Sequence, residues 1–181
     1  MKPVLALDRD GVLNRLLYDT PSGRAPRVLS EIEYLVSPSD IKRIAEQYEI
    51  IVITNQPDSA NGANTLESQL QVHHEIMAHF DLARSYMCTH KNEDNCKCRK
   101  PHIGLLELTV SPKHSTTFVG DRWTDVAAGK SIGWKTILLK LDPFSFAPNS
   151  VGEPSRDLKP DIEITSWESL VLYLLNGRNF E

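Results

Sequence analysis

Two aspartates stand two residues apart in Asp8-Arg9-Asp10-Gly11, directly after the apolar run Val4-Leu5-Ala6-Leu7. A run of that length reads as a strand, and in a strand residues two apart point the same way. Asp8 and Asp10 are therefore placed to project together from the strand's carboxyl end. Neighbouring carboxylates raise each other's pKa. A hard cation such as magnesium, which prefers oxygen ligands, removes that cost. Gly11 lets the backbone turn away or approach a ligand closely. Taken alone, the stretch reads equally well as a strand ended by an acidic turn.

A different chemistry is offered by Cys88-Thr89-His90, five residues, then Cys96-Lys97-Cys98. Three sulfurs and one imidazole make a closed tetrahedral zinc site. The chain has only these three cysteines, all within one short run, which argues against a disulfide framework and for a metal. The alternative is three unliganded thiols beside an unrelated histidine. Arg99-Lys100-Pro101 follows at once, so a metal here would fix the loop that carries both cations.

The elements that must position these groups alternate. After the first strand, Arg15 to Ser37 hold Pro21, Gly23 and Pro26 and read mostly as loop. A helix is expected over Ser39 to Tyr48 and a buried β-branched strand over Ile50 to Ile53, ended by Thr54-Asn55-Gln56-Pro57. Thr65 is the expected N-cap of a helix to about His79. Leu82 to Cys88 form a third strand and Ile103 to Val110 a short helix. Thr116 to Val119 form a fourth strand, ended by Gly120-Asp121. A helix over Trp123 to Ile132 stops at Gly133, and Thr136 to Leu139 form a fifth strand. Residues 142–160, rich in Pro, Ser and Asn, read as an irregular excursion. Ile162 to Ile164 add an edge strand, and a last helix runs from Ser166 to about Leu175. This alternation predicts an α/β fold with a mainly parallel sheet.

In such sheets ligands bind outside the carboxyl ends of the strands. Asp8 and Asp10, Thr54 and Asn55, and Asp121 all fall at strand ends, with Lys100 just before a helix. Carboxylates for a metal, a hydroxyl and amides for an anion, and a cation together suit phosphoryl transfer, where positioning and charge neutralisation dominate.

DRDGVLN, TNQ, CRKP and GDRWTD resemble, in order, the four motifs of haloacid dehalogenase-superfamily phosphatases. Arg99-Lys100-Pro101 and the nearby cysteines are similar to the branch holding histidinol phosphatases and heptose bisphosphate phosphatases. The resemblance runs from about residue 3 to 140. It implies a magnesium-dependent phosphatase with an aspartyl-phosphate intermediate, on a Rossmann-like sheet with helices on both faces and no large cap domain. Carried onto this chain, it makes Asp8 the nucleophile and Asp10 the acid and base. Thr54 and Asn55 would hold phosphoryl oxygens, and Lys100 would neutralise phosphate and nucleophile. Asp8, Asp121 and the backbone carbonyl of Asp10 would bind magnesium, with Asp125 supporting that shell. Zinc in a matching loop of the family agrees with Cys88, His90, Cys96 and Cys98 as ligands. Arg9 is expected to point away from Asp8 and Asp10 and to be structural; Arg122 reads as structural, with a contact to the site the alternative. The remaining histidines carry no ligand set, and Trp123 and Trp134 read as packing residues.

Val12-Leu13-Asn14 and the TNQP form are closer to the heptose bisphosphate phosphatases, while the gap between His90 and Cys96 suits histidinol phosphatases equally. Asn61 stands where the heptose enzymes carry an arginine, and Leu16 to Asp19 differ from their usual substrate loop. The expected substrate is D-glycero-D-manno-heptose 1,7-bisphosphate, with histidinol phosphate the alternative. Arg24 and Arg27 read as solvated surface charges; the alternative is that, with Arg99, they are spare cations that would read a second anionic group. A DNA 3′-phosphatase or a non-catalytic zinc-loop binding protein stands behind these. The net charge of −4 gives no basic field for nucleic acid or membrane. No apolar run reaches a membrane span, and the start is too polar after residue 7 for a signal peptide. The expectation is one domain over residues 1–181, cytoplasmic and monomeric, acting on a small phosphorylated metabolite.

Overall fold

Six strands build one sheet: β1 (Val4–Leu7), β2 (Glu49–Asn55), β3 (Ser85–Cys88), β4 (Thr116–Gly120), β5 (Lys135–Leu139) and β6 (Ile162–Ile164). The structure is a computed structural model that describes residues 2–19, 23–109, 115–142, 145 and 152–176. The order across the sheet is β3-β2-β1-β4-β5-β6, and every neighbouring pair is parallel. Parallel neighbours need crossovers. These carry α1 (Pro38–Gln47), α2 (Leu66–His79), α3 (Gly104–Glu107) and α4 (Trp123–Ser131), and α5 (Trp167–Asn176) follows β6. Among the described residues nothing forms a cap domain.

The strand period of two divides the core. Leu5, Leu7, Val52 and Val119 face one way, against Ile41 and Ile44 of α1, Ile76 of α2 and Leu170 of α5. Val4, Ala6, Ile51 and Phe118 face the other, against Leu105 and Leu106 of α3 and Ala128 of α4. Both faces are thus covered, which explains why β1 and the middle of β2 are uniformly buried.

Helix ends follow their caps. The Thr65 side chain accepts from Ser68 N, the cap expected from the sequence. Ser37 accepts from Asp40 N with Pro38 at the first helical position. Gly133, at φ +75°, lets the chain turn back after α4. α3 is shorter than the expected Ile103 to Val110. Thr109 Oγ1 donates to the Leu106 carbonyl at 2.7 Å, a local bond that competes with helix continuation; Val110 lies outside the described residues. So do His114 and residues 143, 144 and 146–151 of the 142–160 excursion.

β1 sits between β2 and β4. The chain leaves it to one side first and returns to the other. That reversal opens a crevice at the carboxyl ends of β1, β2 and β4.

Candidate active site and metal centres

All seven residues expected around the phosphate line one open cleft of about 360 Å³: Asp8, Asp10, Thr54, Asn55, Arg99, Lys100 and Asp121. That volume suits a small metabolite. The buried Lys100 ammonium lies 3.0 Å from Asp8 Oδ1 and 2.7 Å from Asp125 Oδ1, and donates to the Ile53 carbonyl at 2.7 Å. Burial raises the Asp8 carboxyl to about 7, while Lys100 pulls the other way. Burial also lifts Asp121 well above the usual carboxylate range, against the pull of Arg122. Thr54 Oγ1 accepts from Gln56 Nε2 at 3.0 Å, which leaves its hydroxyl proton available. Asn55 does something not foreseen. Its Oδ1 accepts from Lys100 N and its Nδ2 donates to Lys100 O, each at 3.0 Å, so it clamps the Lys100 backbone to the end of β2.

Arg9 corrects an expectation. It does not point away from the aspartates. Its backbone N–H donates to Asp8 Oδ1 at 2.7 Å, and its fully buried guanidinium grips the Asp10 carboxylate at 3.0–3.1 Å. The reason is that β1 stops at Leu7, so the strand alternation no longer applies. Residues 9–14 form a turn instead, closed by Leu13 N to Arg9 O and Gly11 N to Asn14 O. Two partners of Asp10 escaped sequence reasoning: Asn14 Nδ2 at 2.9 Å, and Gln56 Nε2. Both are buried amides inside the quoted motifs, and polarity within an apolar stretch was their only signal.

Two groups of side chains fit metals. The carboxylate oxygens of Asp8, Asp121 and Asp125 lie within 4.8 Å of one another, all buried. Among the described residues neither Asp121 oxygen accepts a hydrogen bond, and Arg122 Nε pairs with one of them at 3.1 Å. Three buried carboxylates with so few donors call for a cation. Gly11 makes room, since a Cβ there would lie 2.3 Å from the Asp121 carboxylate. Asp125 is more committed: Lys100 takes one oxygen and the Arg122 N–H the other. In the second group, the sulfurs of Cys88, Cys96 and Cys98 are 3.3–3.7 Å apart, and His90 Nδ1 is 3.2 Å from Cys98 and 3.5 Å from Cys88. Zn–S bonds of about 2.3 Å put tetrahedral S···S edges at about 3.8 Å, so the cluster is close to a zinc cage. Without a metal, burial pushes the Cys88 thiol up to about 12.

The cations expected to meet a second anion are mostly occupied. Arg24 is paired with Asp19 and, through its fork, with Glu31, and Arg27 is paired with Asp58. Arg99 is the exception. Nε donates to Asn92 Oδ1 at 2.7 Å and Nη1 to the His90 carbonyl at 3.4 Å, both neutral acceptors.

The HAD-hydrolase-like family model matches residues 97–145. The histidine biosynthesis bifunctional protein HisB of Actinobacillus pleuropneumoniae is 29% identical, over 92% of this chain and 52% of that protein. The chain thus spans about half the length of that relative, and less of other HisB relatives. The D-glycero-beta-D-manno-heptose-1,7-bisphosphate 7-phosphatase of Neisseria meningitidis is 28% identical, over 75% of this chain and 76% of that one. In fold, the chain is similar to the crystal structure of D,D-heptose 1,7-bisphosphate phosphatase from B. bronchiseptica complexed with magnesium and phosphate. The TM-score is 0.73 at 21% identity, covering 97% of this chain and 98% of the other. The chain is similar to the HAD-like hydrolases, and among them to the HisB proteins and the D,D-heptose 1,7-bisphosphate phosphatases.

Proposed function

We propose that the protein is a magnesium-dependent phosphatase that hydrolyses a small sugar phosphate, with D-glycero-D-manno-heptose 1,7-bisphosphate the favoured substrate. The observation that carries this reading is the convergence of Asp8, Thr54, Lys100 and Asp121, from four separate places in the chain, on one cleft. Asp8 attacks phosphorus in line, and its carboxylate oxygen gains the bond that the leaving oxygen loses. Asp10 protonates that leaving oxygen. It then takes a proton from water, which attacks phosphorus and releases Asp8 and phosphate. Lys100, against Asp8, favours the ionised form of the nucleophile against the effect of burial and meets the phosphoryl charge. Thr54 supplies a hydroxyl donor. Asp10 is gripped by Arg9, Asn14 and Gln56, so one of these donors must give way when it carries a proton.

Asp8, Asp121 and the Asp10 carbonyl would hold magnesium, which when bound supplies positive charge against the nucleophile and phosphate. Cys88, His90, Cys96 and Cys98 would hold zinc as a structural ion, fixing the loop that ends in Arg99 and Lys100. Histidinol phosphate is the second reading, favoured by the similarity to HisB proteins. Turnover of heptose bisphosphate, histidinol phosphate and a neutral ester, with and without magnesium, tests the assignment. Asp8→Asn should lower turnover by at least about a thousandfold, the scale of a lost nucleophile. Near-normal turnover in folded Asp8→Asn protein would remove the covalent mechanism. Histidinol phosphate as best substrate would remove the heptose reading and leave the chemistry intact.

A further inference from the structure

The Asp10 carboxylate is aimed by the groups that hold it. Oδ1 accepts from Arg9 Nε at 3.1 Å, from Arg9 Nη2 at 3.0 Å and from Asn14 Nδ2 at 2.9 Å. Oδ2 accepts from Arg9 Nη2 at 3.0 Å and from Gln56 Nε2. Arg9 supplies three of these five contacts, so the direction of its guanidinium sets that of the carboxylate. The guanidinium is fully buried, and two of its nitrogens are turned to Asp10. The third, Nη1, has one partner among the described residues, Nδ1 of His73 at 3.5 Å.

His73 comes from the middle of α2, on the face that buries Val72, Ile76 and Met77. A polar ring on that face is costly unless its nitrogens are partnered. A guanidinium has donors only, so the Nδ1 that faces it carries the lone pair. The neutral ring then holds its proton on Nε2, which donates to Ser85 Oγ of β3 at 2.9 Å. Burial and the charge of Arg9 both oppose a second proton and lower the ring's pKa to about 4, so it is neutral at neutral pH. One line of contacts, Ser85 to His73 to Arg9 to Asp10, thus runs from the exposed start of β3 to the cleft.

We propose that His73 is a positioning residue for proton transfer: by accepting from Arg9 Nη1 it fixes the guanidinium that aims the Asp10 carboxyl at the leaving oxygen. This rests on the reading of Asp10 as acid and base. His73 does not line the cleft, so its effect on the chemistry passes through Arg9. Without the ring, Nη1 becomes a buried donor with no acceptor, and the guanidinium turns toward other oxygens. Asp10 then delivers its proton less well. Attack by Asp8 and charge neutralisation by Lys100 go on as before.

Leaving groups differ in their need for that proton. p-Nitrophenolate is a stable anion and departs with little help. Phenolate is more basic and gains more from protonation. kcat/KM reports the steps up to that departure. His73→Leu removes the acceptor and keeps the bulk, and His73→Asn returns an acceptor where Nδ1 stood. In His73→Leu, kcat/KM for phenyl phosphate should fall about tenfold and that for p-nitrophenyl phosphate less than about twofold, a part of the general acid's own contribution. His73→Asn should recover most of the loss. Asp10→Asn, assayed alongside, should show the same bias and a larger loss. Equal losses on both esters in His73→Leu, or none, beside a biased Asp10→Asn, overturn the positioning role and leave the acid reading standing. An unbiased Asp10→Asn removes the acid reading and the proposal with it, as does a wild type that hydrolyses neither ester in magnesium. If His73→Leu does not fold, nitrogen NMR of wild-type protein labelled in histidine decides at neutral pH. A proton on Nε2 alone supports the proposal; a proton on Nδ1 overturns it.

Discussion

Lys100 is fully buried between two carboxylates, an arrangement stable only as a set. Lys100→Met keeps the length and removes the charge, leaving Asp8 and Asp125 without their counter-ion. Breaking a buried pair in this way costs about 3–5 kcal/mol, so denaturant unfolding at neutral pH should show a loss on that scale. The deficit should shrink toward acid pH, as Asp8, raised by burial to about 7, takes up a proton. Turnover should collapse at every pH. A variant as stable as the wild type at pH 7 would mean that the two carboxylates find other partners. The aspartates were legible in the sequence because charged residues at strand ends are conspicuous, and Lys100 because it follows the cysteines just before an expected helix. Asn14 and Gln56 were not. An amide has no charge, and its role exists only once the turn after β1 has brought Asp10 within its reach.

α2 carries His73, which the sequence left without a role. In the structure its ring is buried, with Nε2 2.9 Å from Ser85 Oγ of β3 and Nδ1 3.5 Å from Arg9 Nη1. Burial, then the positive charge of Arg9, lowers its pKa to about 4. The unfolded chain binds that proton below about 6.5 and the folded chain only below about 4. His73 therefore lowers stability progressively as pH falls from about 6.5 to about 4, by roughly 2–4 kcal/mol in all. His73→Gln should flatten the melting temperature across that window relative to the wild type. An unchanged slope would mean that His73 titrates normally. The cysteine loop gives a second test between elements. Cys96→Ser should abolish binding of about one zinc per chain, measured by elemental analysis. It should also loosen Arg99 and Lys100, seen as faster proteolysis of residues 88–100. Wild-type protein without zinc, prepared without chelator, would refute the cage.

For the molecule as a whole, three buried carboxylates in one place are a liability without a cation. Asp8, Asp121 and Asp125 repel one another, and burial raises Asp8 and Asp121. In chelator, Asp121→Asn should therefore unfold at the same temperature as the wild type or higher. Magnesium at a hundredfold over its Kd should stabilise the wild type by about 2.7 kcal/mol and the variant far less. Equal magnesium stabilisation of both proteins in thermal melts would place the ion elsewhere.

Local pattern determined the element types and their alternation, and with them the α/β class. Apolar runs at period two and at helical spacing state which residues must be buried, whatever they pack against. Spacing alone also determined the cysteine cluster, because its ligands lie within one loop. The strand order was decided by tertiary structure. It sets β2 and β4 on either side of β1, and so gathers Asp8, Thr54 and Asp121 at one crevice. The fold likewise turned Arg9 inward onto Asp10, tied Arg24 and Arg27 to carboxylates, and left Arg99 without one. Those outcomes depend on which charges approach within a few ångströms, and such distances between remote segments are not encoded in any local stretch of chain.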